Sequence, residues 1–124
     1  AISHAGATPV LVDVDEDTHN IDPTAAERAL TARTRAILAV HLYGLPADVR
    51  RLLSLADDRD LALVEDAALA WGATVDGRRV GGLGRVGCFS FAPHKILGAY
   101  GDGGLVTTSD SELARAVRLL AGYG

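Results

Sequence analysis

The 124-residue sequence predicts an α/β fold, a mostly parallel sheet flanked by helices. Short apolar runs alternate with amphipathic stretches, the order expected of strands joined through crossover helices. The runs "LALVED" and "VGCFSFA" also lead into side chains able to do chemistry, and open parallel sheets carry their reactive groups beyond the carboxyl ends of strands. No linker, internal repeat or low-complexity segment interrupts the pattern, so a single layered unit is expected.

The opening "AISHAGATPVLVDVD" reads as the tail of a helix stopped at Gly6, followed by a strand over Pro9 to Asp15. Asp22 and Pro23 then supply a cap and a first-turn proline ahead of "TAAERALTAR", a helix start. "RAILAVHLYG" gives a second strand near Ala36 to Leu42. After Pro46, Val49, Leu52, Leu53 and Ala56 recur at helical spacing and predict one buried stripe. "LALVEDAA" is a third strand, ending in carboxylates at Glu65 and Asp66. The Asp76-Gly77 pair in "TVDGRRV" predicts a tight hairpin, and "VGCFSFA" and "GGLVTTS" are two further strands. The last helix opens with Ser109 and Glu112 in capping-box spacing and is expected to bury Leu113, Val117, Leu120 and Ala121. The chain has no initiating methionine and stops just past a helix, which reads as a segment of a longer protein.

The bulk properties narrow the function. A hydrophobic share of 48% and a charged share of 23% are usual for a soluble globular protein. A net charge of -4 argues against a nucleic-acid partner, which would favour a basic surface. No apolar run of about 20 residues spans a membrane, and no charged-then-apolar start suggests a signal peptide, so the cytoplasm is expected. The single cysteine, Cys88, excludes an intrachain disulfide framework. His4 and His19 lack metal-like spacing with each other or with Cys88, so no metal site is expected.

Lys95 is the only lysine among 12 basic residues; the other 11 are arginines. A compositional bias towards arginine explains the majority and makes the survivor informative. A guanidinium stays protonated, whereas a lysine in a dry site can lose its proton and attack a carbonyl. Lys95 follows the strand "GCFSF" by a few residues, and Asp66 ends "LALVED". If those strands are neighbours, an amine and an acid face one crevice. Pyridoxal phosphate chemistry needs that pair: the lysine holds the cofactor as a Schiff base and the carboxylate keeps the pyridine nitrogen protonated. Ser90 lies near a strand end, where its hydroxyl can donate to a phosphate. Cys88 shares its face, and Phe89 and Phe91 take the other. The glycines of "GAYGDGG" match neither the dinucleotide fingerprint nor the P-loop. They are expected to turn the backbone beside the lysine, and Trp71 is expected to pack rather than react.

These residues carry a resemblance. The stretch Val64 to Asp110, with "VEDAA", "GCFSFAPHK" and "GDGGLVTTSD", closely resembles the core of the DegT/StrS-type sugar aminotransferase family. "GATPVLVDVDEDTHNIDPTAAERALTARTRAILAVHLYGLPADV" looks like the segment preceding that core, so the likeness covers essentially the whole chain. It implies a pyridoxal-phosphate enzyme of aspartate-aminotransferase fold (fold type I) working as a homodimer when full length. Residues 1–124 would then be part of the cofactor-binding large domain, without the upstream phosphate turn or the downstream small domain. The implied reaction moves an amino group from glutamate or glutamine to a keto group of a nucleotide-linked sugar or cyclitol, as in amino-sugar or antibiotic synthesis. By position, Lys95 matches the Schiff-base lysine, Asp66 the carboxylate under the pyridine nitrogen, Ser90 a phosphate contact and His41 a recurrent position behind the site. Two positions depart from the pattern: Leu69 where glutamine or histidine is frequent near the ring hydroxyl, and Ile96 where asparagine often follows the lysine. The alternatives are a dehydratase of the same family, which carries histidine in place of the lysine (His94 is adjacent but out of register), and a non-catalytic remnant or binding domain.

Overall fold

The computed structural model describes residues 1–122. Its main sheet has four strands in the order β1-β2-β5-β6. β1 (Ala36–Val40), β2 (Ala62–Asp66) and β5 (Val86–Ser90) run parallel, and β6 (Gly104–Thr107) is antiparallel to β5. A separate hairpin joins β3 (Thr74–Val75) to β4 (Arg78–Arg79). The helices are α1 (Pro23–Ala29), α2 (Val49–Asp57) and α3 (Ser111–Ala121).

The Asp22 carboxylate caps α1 by accepting from the amides of Thr24 and Ala25, and Pro23 fills the first position, where a missing N–H costs nothing. Val49, Leu52 and Ala56 of α2 are buried, with Leu53 partly so. They pack with Ala26 of α1 on Ile37 and Ala39 of β1 and Leu63 of β2. Side chains alternate along a strand, so both helices cover the face carrying residues 37, 39 and 63. No described element covers the opposite face, and Leu38 on it is 40% exposed. At the hairpin, Asp76 (φ 52) and Gly77 (φ 75) both take the left-handed conformation that a two-residue turn of this twist needs.

Three expectations are corrected. Pro9 to Asp15 alternates like a strand, yet its only ladder contact is an isolated antiparallel bridge from Val14 to Ile21. No described strand lies beside the segment to complete a ladder, and Leu11 stands 93% exposed. The cap of α3 is Asp110, not Ser109: its carboxylate accepts from the amides of Glu112 and Leu113, which moves the start one residue on. Lastly, α3 buries none of its residues. Leu113 and Val117 are half-covered, and Leu120 is 78% exposed with Ala121 exposed beside it, because no described element packs on that end of the apolar stripe.

Candidate functional site

The parallel register sets Asp66 beside Cys88, and Ser90 follows two residues on, on the same side of β5. All three therefore line the open face at the carboxyl ends of β2 and β5, and all three are half-buried. One oxygen of Asp66, Oδ1, accepts from the Ala68 amide at 3.0 Å and turns the chain after β2. Among the described residues the other oxygen accepts no hydrogen bond, so it is available to a protonated nitrogen on this face. The Ser90 Oγ accepts from the Ala92 amide at 3.4 Å, leaving its hydroxyl hydrogen free to donate.

Lys95 lies at the same end of the sheet, in the excursion between β5 and β6. That excursion is tied at its base, where the Phe91 amide donates to Gly103 O at 2.7 Å and the Ala99 amide to Phe91 O at 2.8 Å. The Lys95 amide donates to Ala92 O at 2.8 Å, closing a turn. The residue as a whole is half-buried, and its ammonium makes no ion pair among the described residues. The strand order thus brings Asp66 and Ser90 onto one face and puts Lys95 at that end, with no direct bond between Lys95 and Asp66. An unpaired amine, a carboxylate with a spare oxygen and a free hydroxyl form a donor set that fits an aldehyde-bearing, protonated, phosphorylated heterocycle.

Cys88 is part of this neighbourhood. Burial, and next the negative charge of Asp66, push its thiol above the ordinary value, so it stays protonated at neutral pH. Behind β5, Trp71 sets its ring edge-on to Phe89 and Phe91 at 5.3 and 5.4 Å between centroids. That is a packing role, as the sequence suggests.

The residue that sequence reading passes over is Glu65. It lies on the covered face with no exposure. Its Oε2 accepts from His41 Nε2 at 3.0 Å and the Gly81 amide at 2.8 Å. Its Oε1 accepts from the amides of Leu83 and Gly84 at 2.8 and 2.6 Å. Desolvation alone would raise this carboxyl's pKa, but the His41 bond and the three amides outweigh it and hold it below its usual range. His41 is equally buried, and its Nδ1 accepts from the Ala47 amide at 3.1 Å. Its proton therefore sits on Nε2, facing Glu65. The two adjacent acids at a strand end carry the missed signal: alternation must send one of them inward, and the glycine-rich "VGGLG" offers free amides to meet it.

Buried Asn20 holds the turn after His41, its Oδ1 accepting from the Leu42 amide at 2.9 Å and its Nδ2 donating to Leu45 O at 3.0 Å. Among the described residues no helix is long and apolar enough to cross a membrane.

Residues 1–124 match the family described as DegT/DnrJ/EryC1/StrS aminotransferase. The chain is 54% identical over its whole length to the Streptomyces venezuelae dTDP-3-amino-3,4,6-trideoxy-alpha-D-glucose transaminase, covering 33% of it. It is 50% identical to the Acidithiobacillus ferrooxidans UDP-N-acetyl-3-dehydro-alpha-D-glucosamine 3-aminotransferase, again over its whole length and 34% of the relative. Among solved structures, S. venezuelae DesV superposes with a TM-score of 0.94 at 54% identity, over 98% of this chain and 33% of that one. The chain thus spans about a third of the length of the curated relatives it matches.

Proposed function

The chain belongs to the DegT/DnrJ/EryC1/StrS aminotransferase family, and on that premise we propose that the protein is a pyridoxal-phosphate-dependent aminotransferase acting on a keto group of a nucleotide-linked sugar. Glutamate or glutamine is the amino donor, the working form is a homodimer, and the compartment is the cytoplasm. Residues 1–124 form part of its cofactor-binding large domain. The observation that carries the reading is the shared open face of Asp66 and Ser90, with the chain's only lysine at the same end of the sheet.

When bound, the cofactor supplies an electron-accepting ring that stabilises negative charge on the substrate carbon bearing the amine. Lys95 Nζ would hold the cofactor's carbonyl carbon covalently and, when free, would act first as the base that takes the proton from that substrate carbon and then, as its conjugate acid, as the proton donor of the transfer. Asp66, through the oxygen not spent on Ala68, would keep the ring nitrogen protonated. Ser90 Oγ would donate to the phosphate. Neither Leu69 nor Ile96 can hydrogen-bond through its side chain, so any contact to the ring hydroxyl comes from another group.

The test is borohydride reduction of the protein incubated with pyridoxal phosphate, followed by peptide mapping. The label is expected on the peptide containing Lys95. Lys95→Arg should keep the charge but lose both the label and turnover, because a guanidinium does not act as a neutral amine. A label on any other peptide, or substantial transamination by Lys95→Arg, refutes the assignment.

A further inference from the structure

We propose that Glu65 is the positioning residue of this site, setting the strand ends that carry the reacting groups without touching substrate or cofactor. This rests on the reading above, in which Asp66 and Lys95 hold the cofactor.

The side chain of Glu65 gathers bonds from the carboxyl end of β1 and from the loop that enters the amino end of β5. His41, immediately after β1, donates to it through Nε2. The same residue's amide donates to Asp66 O at 2.9 Å, so β1 grips β2 on both sides of the Glu65–Asp66 peptide. The amides of Gly81, Leu83 and Gly84 bind the carboxylate from the loop that leads into β5. That loop lies flat on the sheet: a Cβ at Gly81 would strike the Phe89 ring, and one at Gly87 would strike the Gly81 backbone. Thr107 of β6 completes the set by donating to the carbonyl oxygen of Gly81. One carboxylate therefore ties β1, β2, the approach to β5 and, through Gly81, β6.

Stability alone does not explain a charge in this place. A buried ion with its hydrogen bonds is often no more stabilising than apolar side chains of equal volume. What a carboxylate adds is direction, since three amides and an imidazole converge on two oxygens in one loop conformation only. Asp66 is the next residue along, so β2 cannot shift or rotate there without breaking those bonds. A site whose reacting groups sit on different strands needs such support, because small displacements cost much of its efficiency.

The experiment compares wild type, Glu65→Gln and Leu52→Ala in the full-length, cofactor-loaded protein, each well below its melting temperature. Leu52 is fully buried in the core with α2 and serves as the control for lost stability without lost positioning. The readouts are the dissociation constant for pyridoxal phosphate and the circular dichroism induced in its visible band. Glu65→Gln is expected to weaken binding about tenfold or more, by analogy with the loss of supporting residues around bound metals, and to change the induced signal. Leu52→Ala is expected to stay within about twofold of wild type in both, the limit expected of a site left in place. Should Glu65→Gln not fold, His41→Gln replaces it, with the same direction expected.

Wild-type binding and dichroism in Glu65→Gln, or in His41→Gln where that variant stands in, overturn the proposal. So does an equal loss in Leu52→Ala. If wild type itself takes no borohydride label at Lys95, the functional reading falls and this inference with it. If wild type is labelled and Glu65→Gln is indistinguishable from it, only the positioning role falls.

Discussion

Replacing Glu65 by glutamine keeps the shape and removes one capability, that of accepting on both oxygens. The carboxylate takes four N–H donors, two on each oxygen. A glutamine oxygen can keep Leu83 and Gly84, but its NH₂ then points at the Gly81 amide and at His41 Nε2–H. In that orientation the Gly81 amide loses its acceptor whichever tautomer His41 takes. His41 could shift its proton to Nδ1 and accept from the glutamine, but Nδ1–H would then face the Ala47 amide that it now accepts from. Flipping the glutamine moves the conflict to Leu83 and Gly84. Two buried donors are left unpaired at best, at about 1–3 kcal/mol each, so the loss should be about 2–6 kcal/mol. That is a large part of a typical domain's total stability of about 5–15 kcal/mol.

The assay is urea unfolding of wild type and Glu65→Gln, followed by the fluorescence of Trp71, the chain's only tryptophan, whose ring packs on Phe89 and Phe91. Acid provides an internal check. The folded-state pKa of Glu65 lies below its ordinary 4.5, so below that value the unfolded chain binds the extra proton. The carboxylate's contribution is therefore full above about pH 4.5 and is lost as pH falls through the folded pKa. The wild-type advantage should narrow in that acid window and hold steady above it. A loss under about 1 kcal/mol at neutral pH, less than one unpaired buried donor should cost, would refute the count, as would an advantage that grows on acidification.

Two more expectations test the geometry. In the cofactor-free protein, Cys88 should alkylate slowly at neutral pH, and Asp66→Asn should speed it, because removing the negative neighbour lowers the thiol pKa; an unchanged or slower rate would separate the two side chains. Ser109→Ala should leave the thermal midpoint and α3 helicity unchanged, whereas Asp110→Ala should lower both, since Asp110 takes the first amides of α3 and also pairs with Arg85. Equal effects of the two changes would restore Ser109 as the cap.

The four strands of the main sheet and the hairpin were legible because each is an apolar run or turn dipeptide whose meaning is local. Asp76-Gly77 needs nothing beyond its own backbone preference. The misreadings have non-local causes. Alternation in Pro9 to Asp15 makes a strand only when another strand supplies a ladder. Ser109 and Asp110 are both good caps, and pattern alone does not decide between adjacent ones. The apolar stripe of α3 says which side wants cover, not whether a described element provides it. In the site, Lys95 stood out by rarity, and Asp66 and Ser90 by their places at strand ends. Glu65 did not, because three of its four partners are backbone amides, those of Gly81, Leu83 and Gly84, and no side-chain motif advertises them.

The adjacent pair Glu65-Asp66 also decides which acid is available to a ligand on the open face. The two carboxylates differ by one residue and so by one face of β2. α1 and α2 cover the face that Glu65 enters, where four donors consume its acceptor capacity. It has nothing left to offer a ligand on the open face and no route to one. Asp66 faces the open side, spends one oxygen on the Ala68 amide and retains the other. A slip of one residue in the β1–β2–β5 register would exchange their surroundings, leaving an aspartate too short for the amide cluster and a glutamate on the open face. The four bonds to Glu65 penalise that slip, so the buried acid determines which carboxylate faces the open side.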